Sequence, residues 1–326
     1  MRPSGWGAAP LSDLETLIKE QHGHLSRDQA VALGFKSTRI AMCVQDGRWV
    51  RVHPSVYRVA WVEPSWLGAL VAATLWARGR AVISHQAAAR LHGFSDFERN
   101  LVELSGTAKL KGPDGVGYHE VRNLPPGDVT AKEGIPVTTV ERTLHDLTTT
   151  ADTPEGIIER YVERSFDEAL RNKETTITRL KWCAESNEAK GRPTALFREL
   201  LEIREKYGVT DSPLESDFAY HVRKAGLIQP YRGWLIIHNY RLVAQVDFAW
   251  PAYRVLVQVH GGDIHRQKKT WENDQRVENA LTSFGWTVLK VTDDLMKNAR
   301  PWLIAQLGSL LLTPIRPSDE APAPFP

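Results

Sequence analysis

The sequence predicts a multidomain α/β protein, and three observations carry that expectation. The chain has 326 residues, more than one ordinary hydrophobic core organises. The apolar periodicity changes along it, from short helices and a strand pair, through charged helices, to long strands alternating with helices. A composition of 42% hydrophobic and 25% charged residues is that of an ordinary globular protein.

The formal net charge of +2 is close to neutral, so any nucleic-acid footprint must be local. No apolar run reaches the ~18–20 residues that span a bilayer. The longest, Trp66–Trp76, contains Gly68 and runs into Arg78 and Arg80. The opening MRPSGWGAAP has no secretory apolar core, so no membrane association is expected. Cys43 and Cys183 stand far apart in helical-looking segments, which fits a reducing cytoplasm better than a disulfide framework. The eleven tryptophans are expected mainly as packing residues, with base stacking as the alternative.

Residues 1–65 read as a winged helix. Leu11–Gln21 is amphipathic, Ser26 caps a second helix over Arg27–Leu33, and Ser37 caps a third over Thr38–Gln45. Asp46-Gly47 turns the chain into WVRVHPSVYRVA, whose two halves form a hairpin. Arg39 on the third helix and Arg48, Arg51, His53 and Arg58 around the hairpin make a basic group suited to duplex DNA, or else an ordinary solvated face.

Residues 66–150 read as an α+β unit: a helix over Trp66–Arg78, a helix from His85 with Ser84 as cap, strands LVELSG and YHEVRN, and a helix in IPVTTVERTLHDL capped by Thr138 or Thr139. His85 and His92 lie two turns apart on one helix face, have no acid near them in sequence, and read as packing residues. Residues 151–210 read as a helical connector, with apolar residues at helical spacing and charges between. Residues 313–326 form a proline-rich tail read as disordered.

Residues 211–312 read as an α/β domain of order α-β-β-β-α-β. Its helix covers Leu214–Ala225; its strands cover Trp234–Asn239, Leu242–Trp250 and Arg254–His260. A helix over Thr270–Phe284, a strand over Thr287–Val291 and a helical stretch broken at Pro301 complete it. No glycine-rich phosphate loop follows any strand, which excludes the nucleotide fingerprints.

This domain concentrates the chemistry. Asp247 comes late in an otherwise apolar strand, which is costly unless it is paired or holds a metal. The next strand brings Gln258, Val259 and His260 alongside it; Glu215 opens the preceding helix, and His265 and Asp274 follow a Gly-Gly turn. Hard oxygen ligands with retained waters suit Mg2+ or Mn2+, and a histidine can move the protons of phosphodiester hydrolysis. Arg266, Lys268 and Lys269 stand beside the set as candidate phosphate contacts. In the alternative, Asp247 is a buried aspartate satisfied by backbone amides, and Asp274 a solvated helix residue paired with Arg276.

VDFAWPAYRVLVQVHGGDIHRQKKTWENDQRVENALTSFGWTVLKVT resembles the DUF559 family and, more distantly, the very-short-patch repair endonucleases, both of the PD-(D/E)xK superfamily. The resemblance implies a restriction-endonuclease-like fold over about 212–310 and Mg2+-dependent DNA cutting. DUF559 proteins usually carry Glu at Gln258 and Asp at His260. The patch-repair nucleases also lack an acid there, which implies a cation held by Asp247 and the Val259 carbonyl, with His260 and His265 moving protons and Asp274 supporting a histidine.

HGHLSRDQAVALGF, WVRVHPSVYRVA, AVISHQAAARLHGF and IPVTTVERTLHDL resemble the landmarks of AbiEi-type antitoxins. That implies a DNA-reading repressor over about 11–150, with a cognate toxin or a second copy of the chain as partner. The expected function is therefore a DNA-binding endonuclease acting in phage defence or repair. The rival is a non-catalytic repressor or antitoxin with a degenerate nuclease domain.

Overall fold

The computed structural model describes residues 11–97, 100–151, 158–189, 191–261 and 268–314, with the side chains of 11–12 and 268–274 outside the description. It is a mixed α/β structure with several sheets, divided into two compact units, residues 1–150 and 151–326.

Unit 1 begins with α1 (Leu11–Glu20), β1 (His24–Ser26), α2 (Arg27–Ala32), α3 (Ser37–Gln45), β2 (Trp49–His53) and β3 (Val56–Val59). The strands form an antiparallel sheet in the order β1-β3-β2. Leu14, Leu25, Phe35, Ile40, Trp49 and Tyr57 fill its core. Trp49 anchors it, with ring centroids 5.2 Å from Phe35 and 5.6 Å from Tyr57. Ser26 and Gln29 form a reciprocal capping box at the start of α2, an arrangement worth about 1 kcal/mol. Ser37 does not cap α3 but opens it, and its hydroxyl accepts from Arg27.

Unit 1 continues with α4 (Trp66–Ala77), β4 (Ala81–Ile83), α5 (His85–His92), β5 (Glu103–Gly106), β6 (Gly117–Glu120), β7 (Val129–Lys132), β8 (Ile135–Thr138) and α6 (Val140–Thr150). The sheet order is β6-β5-β4-β8-β7. β4 pairs with β8, and β5 with β6, in parallel. Only β5 and β6 were expected. β1, β4, β7 and β8 are three or four residues long, too short for alternation to register, whereas β5 and β6 lie in the longer strand-like runs LVELSG and YHEVRN.

Unit 2 contains α7 (Glu159–Arg171), α8 (Ile177–Ala189), α9 (Ala195–Tyr207), α10 (Pro213–Lys224), β9 (Tyr231–His238), β10 (Arg241–Trp250), β11 (Val255–His260), α11 (Lys268–Ser283), β12 (Thr287–Thr292), α12 (Asp293–Asn298) and α13 (Arg300–Leu310). Its sheet runs β12-β11-β10-β9; β11 and β12 are parallel and the other pairs antiparallel. One apolar cluster joins Phe218 and Val222 of α10 to Phe248, Trp250, Val257 and Leu307; a second joins Leu281 of α11 to Ile236, Val246 and Leu256. The Trp250 indole N–H donates to the Ile228 carbonyl at 2.7 Å, fixing the end of β10.

α7, α8 and α9 belong to the same compact unit as this sheet. Glu163, Asp167 and Arg204 are wholly buried and Arg232 of β9 nearly so. Arg204 grips Asp167 through Nε and Nη2, each at 3.1 Å. Arg232 lies 3.4 Å from the same carboxylate, and the Ser216 hydroxyl of α10 donates to it at 3.1 Å. Burial pushes the Asp167 carboxyl up, but Arg204 and Arg232 more than offset this and hold it below the usual carboxylate range.

Tryptophans divide: Trp49 and Trp250 are buried, whereas Trp61, Trp182 and Trp302 are mostly exposed. Cys43 and Cys183 are both buried free thiols. Among the described residues no helix is long and apolar enough to cross a membrane.

Unit 1 has its own buried polar cluster. Arg142 bonds Asp146 at 2.7 Å and Asp128 at 2.9 Å. His85 stacks on His119 with centroids 3.6 Å apart and lies 3.0 Å from the Ser84 hydroxyl. The sequence placed no acid near His85; the fold brings the field of Asp146 and Glu103 to it. Burial still dominates and pushes the imidazole down to about 4. The unfolded chain therefore takes up a proton on His85 as pH falls through about 6.5, and the folded chain does so only near 4. Unit 1 should lose stability across that window by about 3 kcal/mol from this residue. His85→Asn should be less stable at pH 7 yet lose less between pH 6.5 and 4.5, measured as urea midpoints of protection in residues 81–92. Equal losses in both chains would refute the assignment.

Candidate metal centre and nucleic-acid interface

β10 and β11 separate at Asp247. Their backbone pairing covers Phe248 with Val257, Ala249 with Leu256 and Trp250 with Val255, and the paired ladder ends there. The Asp247 side chain continues the ladder: its Oδ2 accepts the Val259 N–H at 2.6 Å. A strand residue directs its N–H and C=O to the same neighbour, so the Val259 carbonyl also faces the Asp247 side. Burial pushes the Asp247 carboxyl up; Asp211 adds to this, while the Val259 N–H and His260 pull it down, leaving it raised.

Glu215 enters through the α10 N-terminus. Ser212 caps the helix, its hydroxyl accepting from the Glu215 N–H at 3.3 Å and donating to Glu215 Oε1 at 2.7 Å. Oε2 accepts the Asp211 N–H at 2.8 Å. Glu215 thus completes a cap as well as facing the site. Its carboxyl is also raised, by burial first and then by the charges of Asp247 and Asp211, against the two bonds it accepts.

Glu215, Asp247, Val259 and His260 are thus brought together. His265 and Arg266 lie outside the described residues; Lys268, Lys269 and Asp274 lie on α11, with their side chains outside the description. Gln258 is partly buried in β11 and stands opposite Lys290 of β12. Two residues were missed. Asp211 sits in a Thr-Asp-Ser-Pro turn that reads only as a domain start, yet its charge acts on both Asp247 and Glu215. Lys290 places a cation, ion-paired with Glu278, next to Gln258. Among the described residues no three His, Cys, Asp or Glu side chains are already gathered as a metal cage. The donor set that is present, hard carboxylate oxygens held close enough to repel one another beside a backbone carbonyl, suits a hard cation with waters retained.

In unit 1 the four arginines differ. Arg51 on β2 is exposed. Arg48 pairs with Asp46 at 2.8 Å, Arg39 lies over the Phe35 ring at 5.0 Å, and Arg58 donates to the Val62 carbonyl. Arg51 is thus the one exposed arginine of the four, and the other three are partly turned to local structure.

No family model matches the chain. It is 26% identical over 272 residues to two uncharacterized proteins of Mycobacterium tuberculosis, one from each of two strains. The alignments cover 81% of this chain and 93% of each relative. A match that long includes parts of both units, so the similarity is not confined to one of them.

The effect of the Asp247 charge on Glu215 is measurable. Asp247→Asn keeps an acceptor for the Val259 N–H but removes a charge, and should bring the Glu215 carboxyl back toward its ordinary range. Carboxyl NMR titration reads this directly; an unmoved Glu215 would mean that the two groups do not share a site.

Proposed function

We propose that the chain is a DNA-binding, Mg2+-dependent endonuclease that hydrolyses DNA phosphodiester bonds. In this reading the winged helix of residues 1–65 targets duplex DNA and the restriction-endonuclease-like sheet of unit 2 carries the chemistry. The observation that carries it is Asp247, half-buried with a raised carboxyl where β10 and β11 part, facing Val259 and coupled to Glu215 and Asp211. The order α10-β9-β10-β11-α11-β12 in a mixed sheet supports it, being the order that the DUF559 and patch-repair resemblance implies.

Asp247 and the Val259 carbonyl would hold Mg2+ or Mn2+, with Glu215 and Asp211 at the margin. When bound, the cation neutralises phosphate charge and acidifies a water. Asp247 orients it and, by losing its own proton, supplies the charge that burial otherwise disfavours. His260, whose charge acts on this carboxylate, would take a proton from the attacking water or give one to the leaving oxygen. Arg51 on the wing would meet the phosphate backbone, adding an affinity that falls as salt rises.

A second reading is a DNA-binding repressor or antitoxin without catalysis, paired with a toxin or a second copy. Two observations favour it: both Glu215 oxygens are engaged in the α10 cap, and Gln258 brings no charge.

Supercoiled plasmid should be nicked or linearised with Mg2+ or Mn2+ and left intact in EDTA. Asp247→Ala should abolish cutting, and His260→Ala should slow it by ~10²–10⁴-fold, the scale of a general acid–base group. Cutting by Asp247→Ala at the parent rate would remove the site assignment.

Calorimetric titration of Mn2+ separates the two readings. The nuclease reading expects binding by the parent, its loss in Asp247→Ala and little change in Gln258→Ala. Binding should also weaken at a higher pH than ordinary carboxylates would dictate, because protonation of the raised Asp247 and Glu215 competes with the cation. The repressor reading expects no binding by the parent and a gain in Gln258→Glu.

A further inference from the structure

β9 and β10 are joined by a two-residue turn, Asn239-Tyr240, closed by the pairing of His238 with Arg241. Both turn residues have positive φ, 48° and 60°. Such a turn strongly favours glycine at its second position, because a Cβ is strained there. Tyr240 occupies it with a relative exposure of 103%, so the ring packs on nothing in this unit. Neither packing nor turn preference accounts for a tyrosine here, and a strained residue without a structural reward points to a ligand.

The strands behind the tip agree. Leu242 is 64% exposed and Leu235 49% exposed. Gln245 stands exposed beside Leu235, and Leu242 beside Ile237. Asp247 follows Gln245 by two residues on β10. At ~3.4 Å per residue the ribbon runs roughly 24 Å from Tyr240 to Asp247. From Gly226 to Val246 the sequence holds no Asp or Glu, while Arg241 is exposed at the tip. The His238 ring stacks on Phe284 at 4.0 Å, which ties the tip to the end of α11 and keeps the ribbon from swinging freely.

We propose that the β9–β10 ribbon is a duplex-DNA contact that enters the major groove beside the Asp247 site. The groove admits a two-stranded ribbon, and this one offers what such readers use. Tyr240, Leu242 and Leu235 cover apolar groove surface, Arg241 meets phosphate or guanine, and Asn239 and Gln245 reach base edges. The absence of acids from Gly226 to Val246 removes, over that part of the ribbon, the repulsion that a polyanion would otherwise meet. The inference rests on the nuclease reading and names the surface that holds the substrate against that site.

The test uses the full chain carrying Asp247→Asn, so that DNA is not consumed, and Arg51→Ala, to weaken the wing. Binding of a labelled duplex is followed by fluorescence anisotropy, and thermal stability is recorded for each variant. Tyr240→Gly relieves the turn, so its melting temperature should hold or rise. Its duplex affinity should nevertheless fall on the order of 10-fold, the scale of one groove contact, and Leu242→Ser should fall similarly. Unchanged affinity in both variants overturns the inference. So does a dimer, seen by light scattering, that these variants dissolve while DNA binding stays intact, because the ribbon then fits a second copy of the chain. A parent that neither binds duplex nor cuts plasmid removes the nuclease reading and this inference together. A parent that cuts, with ribbon variants that bind as well as it does, removes only this one.

Discussion

Asp167 has no exposure, and the two guanidiniums that hold it, Arg204 and Arg232, have almost none. Taking such charges out of water is expensive, and their attraction offsets the cost only when geometry and hydrogen bonding are both good. Here Arg204 engages both carboxylate oxygens, Ser216 supplies a hydroxyl, and Arg232 also donates to the Gly208 carbonyl at 3.1 Å. Of the four elements involved, α7, α9, α10 and β9, α10 carries Glu215 of the candidate site and β9 pairs with the strand that carries Asp247. Ser216 follows Glu215 directly, and Arg232 lies one residue before the glycine opposite Asp247 in the β9–β10 register. A rearrangement that freed Asp167 would strand a buried charge, and so would any rearrangement that moved the N-terminus of α10 away from the sheet. The cluster therefore serves geometry more than net stability: an apolar replacement of equal volume could be as stable but would not specify the same docking angle.

That rigidity is what makes the Asp247 site chemically interesting. Glu215 and Asp247 are both raised, by burial first; the charges of Asp247 and Asp211 add to this at Glu215, and that of Asp211 at Asp247. If the elements were loose, the carboxylates would drift apart and return to ordinary values. They do not, because Glu215 is pinned by the Ser212 cap and Asp247 by the Val259 amide. The same pinning cuts both ways. An oxygen already accepting a hydrogen bond is a poorer ligand, so Glu215 is better placed to tune the field than to ligate, and a cation would lean on Asp247.

Much of the C-terminal order was legible because its strands are six to ten residues long and punctuated by Asn239-Tyr240, Pro251 and Gly285. Pro301 does open a new helix, α13, as its position implied. The buried ion cluster was not legible. Glu163 and Asp167 are four apart on α7, and Arg204 lies among the charges of α9, so each looks like a solvated helix face. Only tertiary contact distinguishes an internal charge from an external one, which is why 151–210 read as a connector. Within the site, Asp247 and Glu215 stood out because each interrupts or opens an apolar element. Asp211 did not, because aspartate in a Ser-Pro turn has an ordinary local explanation.

The segments that resemble AbiEi landmarks bear on what unit 1 can do. SHQAAARLH and VERTLHD face each other in its core. The His92 Nε2–H donates to the Thr138 carbonyl at 2.8 Å, and Arg142 spends its guanidinium on Asp146 and Asp128. Asp146 is held down to about 2: burial opposes ionisation, but His145, His85 and Arg142 outweigh it. The most distinctive side chains of both motifs are thus committed to each other and closed to solvent. Arg51 on the β2–β3 hairpin, by contrast, is exposed. The two units then differ in kind. In unit 1 the recognisable residues build the scaffold and the surface is where binding would be specified. In unit 2 the recognisable residues, Asp247 foremost, stand at a break in the sheet that the scaffold holds open.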